Sequence, residues 1–440
     1  MGSKSRARVE DRISQLPDGV LRHIVTFVPT KCSVRTSVLS TRWKDMWTRV
    51  PTLYLNDMEF SSSADFVEFV DRALLVRDSA TIQKFHLHFE ECPAEYFSRV
   101  DGWLQVVVRC NVVELDLSVV SDGEEMLELP NSLLTCKTLE ALKLELNYNI
   151  KLPTSWRCPK LKFFDVQFTC PDGDSMDFSQ FPALEHLGIG GSLGYIGFSF
   201  NISVPELKTL RICLGSETIT RPCNFLINAP KLQKLDVSEG FLSNYTFKNT
   251  KSIIEASIEI TTLKDDKSEA SADRATKFLA GISGVKCLTL SPFSMACSIP
   301  VFDNLSELML LRDGQWWKIL MKFLERSLNL ESFVIKHESC QPGHYFPGQK
   351  EVFIELPDCR NPDHPDHVEE VLDWTPPESV PKCLLSSLKT ISIKGFKGKE
   401  FFGFPEEMEL IKYLLKNCLL GEYDCLHSWS SLWYTRRILQ

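Results

Sequence analysis

Four segments of the chain repeat one formula: CPKLKFFDV from Cys158, FPALEHLGI from Phe181, VPELKTLRI from Val204 and APKLQKLDV from Ala229. Each reads x-P-x-L-x-x-apolar-x-apolar, and Pro159, Pro182, Pro205 and Pro230 follow one another at intervals of 23, 23 and 25 residues. Apolar residues at i, i+3 and i+5 recur by chance; a proline fixed two residues ahead at a steady period does not. A looser form begins at Ile82, Val112 and Leu139 before this block and at Ile253, Val285, Leu305, Leu330 and Leu388 after it. A unit of this length cannot bury its apolar side alone. Stacked against its neighbours it contributes one layer to a continuous core, so the chain is constrained to a repeat array.

The L-x-x-L-x-L core of each unit is the leucine-rich-repeat pattern: one short strand, then a return segment. The expected class is α/β, an irregular solenoid of parallel strands with mixed helical and loop returns. The pattern calls for Asn or Cys eight residues after the first leucine. Asn147 fits, but Thr169, Ser192, Gly215, Gly240 and Asp313 stand in the other places, so the array is expected to be uneven. SSADFVEFVDRALLV (Ser62–Val76) and PAEYFSRVDGWLQVVV (Pro93–Val108) carry helical apolar spacing and are expected behind early strands. Lys264–Lys277 reads as a solvated loop or helix entrance, and the proline-rich stretch Cys340–Pro381 as an irregular excursion. Side chains between the strand leucines face the expected ligand side. They include Lys143, Glu145, Phe163, Gln167 and Lys336, with Asp165, His186, Arg211, Lys234 and Asp236 as the candidate target-binding residues.

Ahead of the repeats, LPDGVLRHIVTFV (residues 16–28) puts Leu21, Ile24, Val25 and Val28 on one face of a short helix. Ser40 is positioned to cap a third helix, TRWKDMWTRV, on which Trp43, Met46 and Trp47 share a face. About 45 residues make a core too small to be generous, so such a module depends on a partner or on the domain that follows. The whole chain has a net charge of -9, yet residues 1–50 hold ten Lys/Arg and four Asp/Glu, or +6, leaving -15 for the rest. Two tryptophans on a basic helix leave three readings open: nucleic acid, a membrane surface, or another protein.

These residues resemble a known family. LPDGVLRHIVTFVPTKCSVRTSVLSTRWKDMWTRVPTLYL is similar to the F-box, in the form found in plants. LPNSLLTCKTLEALKL (Leu129–Leu144) resembles a block of plant F-box proteins with leucine-rich repeats. WTPPESVPKCLLSSLKTISIKGFKG (Trp374–Gly398) with EEMELIKYLLKNC (Glu406–Cys418) resembles the FBD domain that ends many of them. The resemblance implies a three-helix F-box over 10–55, the solenoid over 56–340, the proline-rich insertion over 341–373, and an FBD-like region over 374–440 that departs from the pattern after 418 and leaves its last layer in question. It also implies a substrate-recognition subunit of a Skp–cullin–F-box ubiquitin ligase, itself no enzyme. The Skp-type adaptor would be held by Leu16, Pro17, Leu21, Ile24, Val38, Leu39, Trp43 and Trp47, cullin reached through it, and an unnamed target protein presented by the repeats. A scaffold or truncated competitor that never enters a ligase is the alternative.

Other chemistries find little support. Two tryptophans on one helical face pack more often than they stack on bases, and no apolar run approaches the length of about 18 residues that spans a bilayer, so neither nucleic acid nor a membrane is an expected partner. Asp358–His367 gathers Cys359, His364 and His367, but no standard zinc spacing, so no metal is expected. GIGGSLG (Gly188–Gly194) has Leu193 where a phosphate loop needs its third glycine. No nucleophile motif and no cofactor fingerprint occurs. The first fifteen residues lack the apolar run of a secretory signal, Lys4–Arg8 reads as a solvated basic tail, and the 15 cysteines never form C-x-x-C. Cytoplasm, nucleus or both is the expected location.

Overall fold

The computed structural model describes residues 13, 15–77, 82–121, 129–146, 156–169, 174–192, 197–215, 222–240, 242–260, 269–291, 297–312, 316–337, 376–377, 379–394, 410, 412–414 and 416–418. Expectations for Lys4–Arg8, Asn147, Asp313, the 341–373 insertion with Asp358–His367, the side chain of Lys336 and everything past 418 lie outside them. The chain divides into two compact units, residues 1–232 with 247–249, and residues 233–246 with 250–440.

The first unit opens with helices α1 (Asp18–Val25) and α2 (Thr30–Arg35), followed by a 3-10 turn at Thr36–Val38. Pro17 and Pro29 precede the two helices, where a missing N–H costs nothing. The expected third helix is replaced by consecutive turns over 41–46 and a 3-10 turn at Trp47–Arg49. Ser40 does not cap it, and among the described residues its hydroxyl has no hydrogen-bond partner. Trp43 and Trp47 both turn inward there, onto one small core.

The repeats then follow. They are β1 (Thr52–Asn56), α3 (Ser63–Val76), β2 (Lys84–Phe89), α4 (Phe97–Arg109), β3 (Glu114–Val119), α5 (Asn131–Leu134), β4 (Ala141–Leu146), β5 (Phe163–Thr169), β6 (Ser175–Asp177), β7 (His186–Ser192), β8 (Ser199–Ser203), β9 (Thr209–Leu214) and β10 (Asn224–Asn228). Of these, β2, β3, β4, β5, β7 and β9 each start two residues after the first apolar position read from the sequence. β1, β2, β3, β4, β5, β7 and β9 form one parallel sheet in that order. β6, β8 and β10 form a second parallel sheet on the return side.

The proline formula is a β-turn. In each unit the N–H of the first leucine donates to the carbonyl before the proline: Leu161 to Cys158 at 3.1 Å, Leu184 to Phe181 at 3.2 Å, Leu207 to Val204 at 3.4 Å and Leu232 to Ala229 at 3.1 Å. Proline occupies the second position, where its fixed φ suits the turn. The strand that follows points its leucines inward, so Leu115, Leu142, Phe164, Leu187 and Leu210 make one buried row and Leu117, Leu144, Val166, Ile189 and Ile212 the next. Behind β5, the rings of Trp156, Phe164, Phe178 and Phe181 fill the interior with centroids 5.5–6.4 Å apart. α3 is capped by Ser62, whose hydroxyl accepts the Asp65 N–H at 3.2 Å, and its Phe66 meets Phe89 and Trp103 edge to face.

The second unit contains β11 (Lys234–Glu239), most of β12 (Asn244–Lys248), β13 (Glu255–Ile260), α6 (Glu269–Gly281), β14 (Cys287–Leu290), β15 (Glu307–Arg312), α7 (Trp316–Arg326), β16 (Ser332–His337), α8 (Lys382–Ser386) and β17 (Thr390–Lys394). β11, β13, β14, β15, β16 and β17 pair in parallel in that order. α6 begins inside the segment expected to be a solvated loop or helix entrance. Leu410 and Leu414, inside the FBD-like stretch, are buried, as is Cys383 of α8, whose thiol lies 3.0 Å from the Leu324 carbonyl.

Candidate functional site

Two surfaces are candidates: the face of the N-terminal helices, and the outer face of the strands. The first has an inner layer of Leu21, Val25, Trp43, Trp47 and Val50, joined by Ala73 of α3 and flanked by Leu16, Val34, Met46 and Phe69. The module is thus completed by the first helix of the repeats. Arg42 binds the turn ahead of α1: its Nε donates to Asp18 Oδ1 at 2.8 Å and its Nη2 to the Leu16 carbonyl at 2.5 Å. The L-P-D and R-W motifs, 24 residues apart, are two halves of one clasp.

Of the residues expected to hold a partner, Leu21, Trp43 and Trp47 are in this core, at 0%, 4% and 9% exposure. A side chain so placed touches no partner without unpacking, so any part they have in docking is indirect. Leu16 is half-buried and Pro17 exposed. Ile24, Val38 and Leu39 face solvent at 40%, 87% and 66% exposure. α1 therefore has two apolar stripes. Leu21 and Val25 pack inward, while Val20 and Ile24, continued by Phe27 in the turn that follows the helix, remain 43%, 40% and 75% exposed. Val20 and Phe27 escaped the sequence reading because the apolar residues form one continuous arc that does not declare which edge of it is the core. The spacing i, i+4, i+7 was the signal available.

On the strands, alternate side chains face outward in rows fixed by the register. In the first unit one row runs His86, Asp116, Lys143, Asp165, Gly188, Arg211. Contacts run along it: His86 Nδ1 lies 3.4 Å from Asp116 Oδ2, and Lys143 Nζ 3.8 Å from the same oxygen. The adjoining row pairs Lys84 with Glu114 at 2.5 Å and places the Phe163 and His186 rings 6.2 Å apart. Nδ1 of His186 is 2.6 Å from Thr209 Oγ1. Asp165, His186 and Arg211 are thereby gathered on β5, β7 and β9. Burial pushes the Asp165 carboxyl above its ordinary range, with Arg211 and Lys143 pulling it back. Lys234 and Asp236 lie on β11 of the second unit, where Lys234 Nζ bonds Glu255 Oε1 at 2.8 Å; that bond raises the Lys234 pKa.

Among the described residues no group of three His, Cys, Asp or Glu side chains is placed to hold a metal ion, and no helix is long and apolar enough to cross a membrane.

Comparison with known proteins supplies the context. A family model described as the F-box domain matches residues 13–54, one described as the LRR repeats of FBD-associated F-box protein At5g56370 matches 100–263, and one described as FBD matches 376–420. F-box/LRR-repeat protein 13 of Arabidopsis thaliana is 29% identical over 433 residues, covering 92% of this chain and 87% of that protein. Putative FBD-associated F-box protein At5g56440 of Arabidopsis thaliana is 30% identical over 420 residues, covering 92% and 90%. F-box/LRR-repeat protein At3g59200 of the same plant is 31% identical over 368 residues, covering 74% and 69%.

Proposed function

The chain belongs to the F-box/LRR-repeat proteins, and from that premise we propose that it is a non-catalytic substrate-recognition subunit of a Skp–cullin–F-box ubiquitin ligase. The observation that carries this reading is the second apolar stripe, begun on α1 and continued in the turn after it: Val20, Ile24 and Phe27 stay exposed on a module whose core is already complete without them. Exposed apolar rows of this kind are partner surfaces. In this reading Pro17, Val20, Ile24, Phe27, Val38 and Leu39 meet the Skp-type adaptor, and cullin joins through it. The outer strand faces present a target protein, and the chain acts by raising the local concentration of the target's lysines at the ubiquitin-loaded partner. The eleven cysteines among the described residues are all free thiols, which suits work in the cytoplasm or nucleus.

The test is co-purification of the full chain with a plant Skp-type adaptor, beside the double variant Ile24→Asp, Phe27→Asp. Because both side chains are exposed, the variant should keep its melting temperature and lose adaptor affinity by about tenfold or more. A well-folded wild-type chain that captures no adaptor would move the weight to a scaffold outside any ligase.

A further inference from the structure

Arg77 caps the C-terminal end of α3 and is 8% exposed. Its Nη2 donates to the Val50 carbonyl, and Ala73, one turn earlier on α3, packs with Val50 in the core of the N-terminal module. The guanidinium therefore lies in the joint between that module and the first helix of the repeats. A guanidinium carries five N–H donors. Among the described residues this one has a single acceptor, and its Nε and Nη1 are buried with no hydrogen-bond partner.

The two acidic side chains nearest to it along α3 are committed elsewhere. Asp71 Oδ1 accepts the Trp103 Nε1–H at 2.8 Å and Asp71 Oδ2 lies 3.2 Å from Arg99, while Glu68 pairs with Arg72 at 2.5 Å. Burial lowers the Arg77 pKa to about 10, with Cys110 at the end of α4 pulling it back, so the side chain stays a cation at neutral pH. It cannot shed its charge as a buried lysine does. A buried cation without a counter-ion is strongly destabilising, and each buried donor without an acceptor adds its own desolvation cost. Water satisfies the donors and leaves the charge. An anion answers both.

We infer that Arg77 is the centre of an oxyanion-binding site, in which a phosphate or carboxylate group takes the donors left over by the Val50 carbonyl. Arginine suits that class of ligand: its planar fork matches a pair of oxygens, and charge-assisted hydrogen bonds are the strong ones. The occupant ties α3 to the end of the N-terminal module. Such a site uses neither the exposed stripe of α1 nor the outer strand faces, so it is independent of adaptor and target alike.

The experiment is calorimetric melting of the full chain at pH 7 in sodium chloride, acetate and phosphate at equal ionic strength, with the oxyanions kept at low millimolar concentration to limit general salting effects. Phosphate should raise the melting temperature over chloride by about 2–4 °C, because a ligand that binds only the folded state stabilises it by mass action. Arg77→Met, which keeps the length of the side chain and removes the charge, should melt no lower than wild type in chloride and show no phosphate increment. Arg77→Lys, which keeps a charge without the fork, should show a reduced increment, and it carries the test if the Met variant fails to fold. A rise in phosphate alone assigns a tetrahedral group, and a rise in acetate as well a carboxylate; both support the site. Equal melting temperatures of the wild type in the three salts, or an increment undiminished in the variants, would overturn it.

Discussion

Neighbouring side chains of α1 do opposite work: Leu21 is sealed in the core while Val20 beside it faces solvent, and the same holds for Val25 and Ile24. At this scale one residue also sets a pH dependence. Glu239, at the end of β11, is 2% exposed, accepts the Ser243 N–H at 2.8 Å and the Tyr245 hydroxyl at 3.0 Å, and burial raises its pKa from 4.5 to about 7. The folded state thus holds this proton more tightly than the unfolded chain does. Glu239 contributes stability that is complete below the unfolded value of 4.5 and lost as pH rises through about 7. The melting temperature should therefore fall between about pH 5 and about pH 8. In Glu239→Gln, which stays neutral, the amide oxygen can accept the Ser243 N–H while the NH2 donates to the Tyr245 hydroxyl oxygen, and that part of the slope should vanish. An unchanged slope would mean that other groups set it.

At the scale of the element, the turn x-P-x-L is the unit of construction. It was legible because three requirements coincide in six residues: proline for the turn, the leucine whose N–H closes it, and alternation for the strand. Each rung then donates twice to the one before, as where Lys162 and Phe163 both reach the Glu140 carbonyl, at 2.8 and 3.1 Å. The residue after the first leucine alternates in sign along the block. Glu140 pairs with Lys162 at 3.0 Å and Glu185 with Lys208 at 2.5 Å, an edge ladder that favours the observed register. Pro182→Ala keeps the turn hydrogen bond and frees the unfolded chain, so it should cost about 0.5–1 kcal/mol in denaturant titration without changing the m-value. The return side was less legible. Length permits a helix or a strand there, and periodicity decides: the SFNIS and NFLIN runs alternate and become β8 and β10, while a 3.6-residue pattern gives α7. The aromatic pair Phe200 and Phe225, stacked at 4.7 Å, belongs to that second sheet, which a pattern read only for leucines passes over.

At the scale of the molecule, the N-terminal module, proposed to meet the adaptor, also ends the sheet. β1 is the first strand of its sheet, and an uncovered first strand offers free backbone groups to any other chain. Here the Thr30 hydroxyl of α2 accepts the Tyr54 N–H of β1 at 2.8 Å, with Thr30 itself 4% exposed. Lys31 lies 3.9 Å over the Phe60 ring, and the buried Arg77 at the end of α3 donates to the Val50 carbonyl. Val50, Leu53 and Leu55 themselves fit the repeat spacing, so the array starts one unit earlier than the repeat starts read from the sequence, inside the segment that resembles the F-box. The module and the first repeats should therefore unfold together. Deleting residues 1–55 removes β1 and uncovers β2, Phe69 and Ala73; the shortened chain is expected to melt lower and to aggregate where the full chain stays monodisperse. Thr30→Val, which keeps the shape and removes only the acceptor, should cost about 1–3 kcal/mol by leaving a backbone donor unpaired. Calorimetry on the three proteins decides it. One cooperative transition for residues 1–76 with the strands beyond supports a module built as the end of the array, and an early, separate transition that Thr30→Val leaves in place would make it an appended domain.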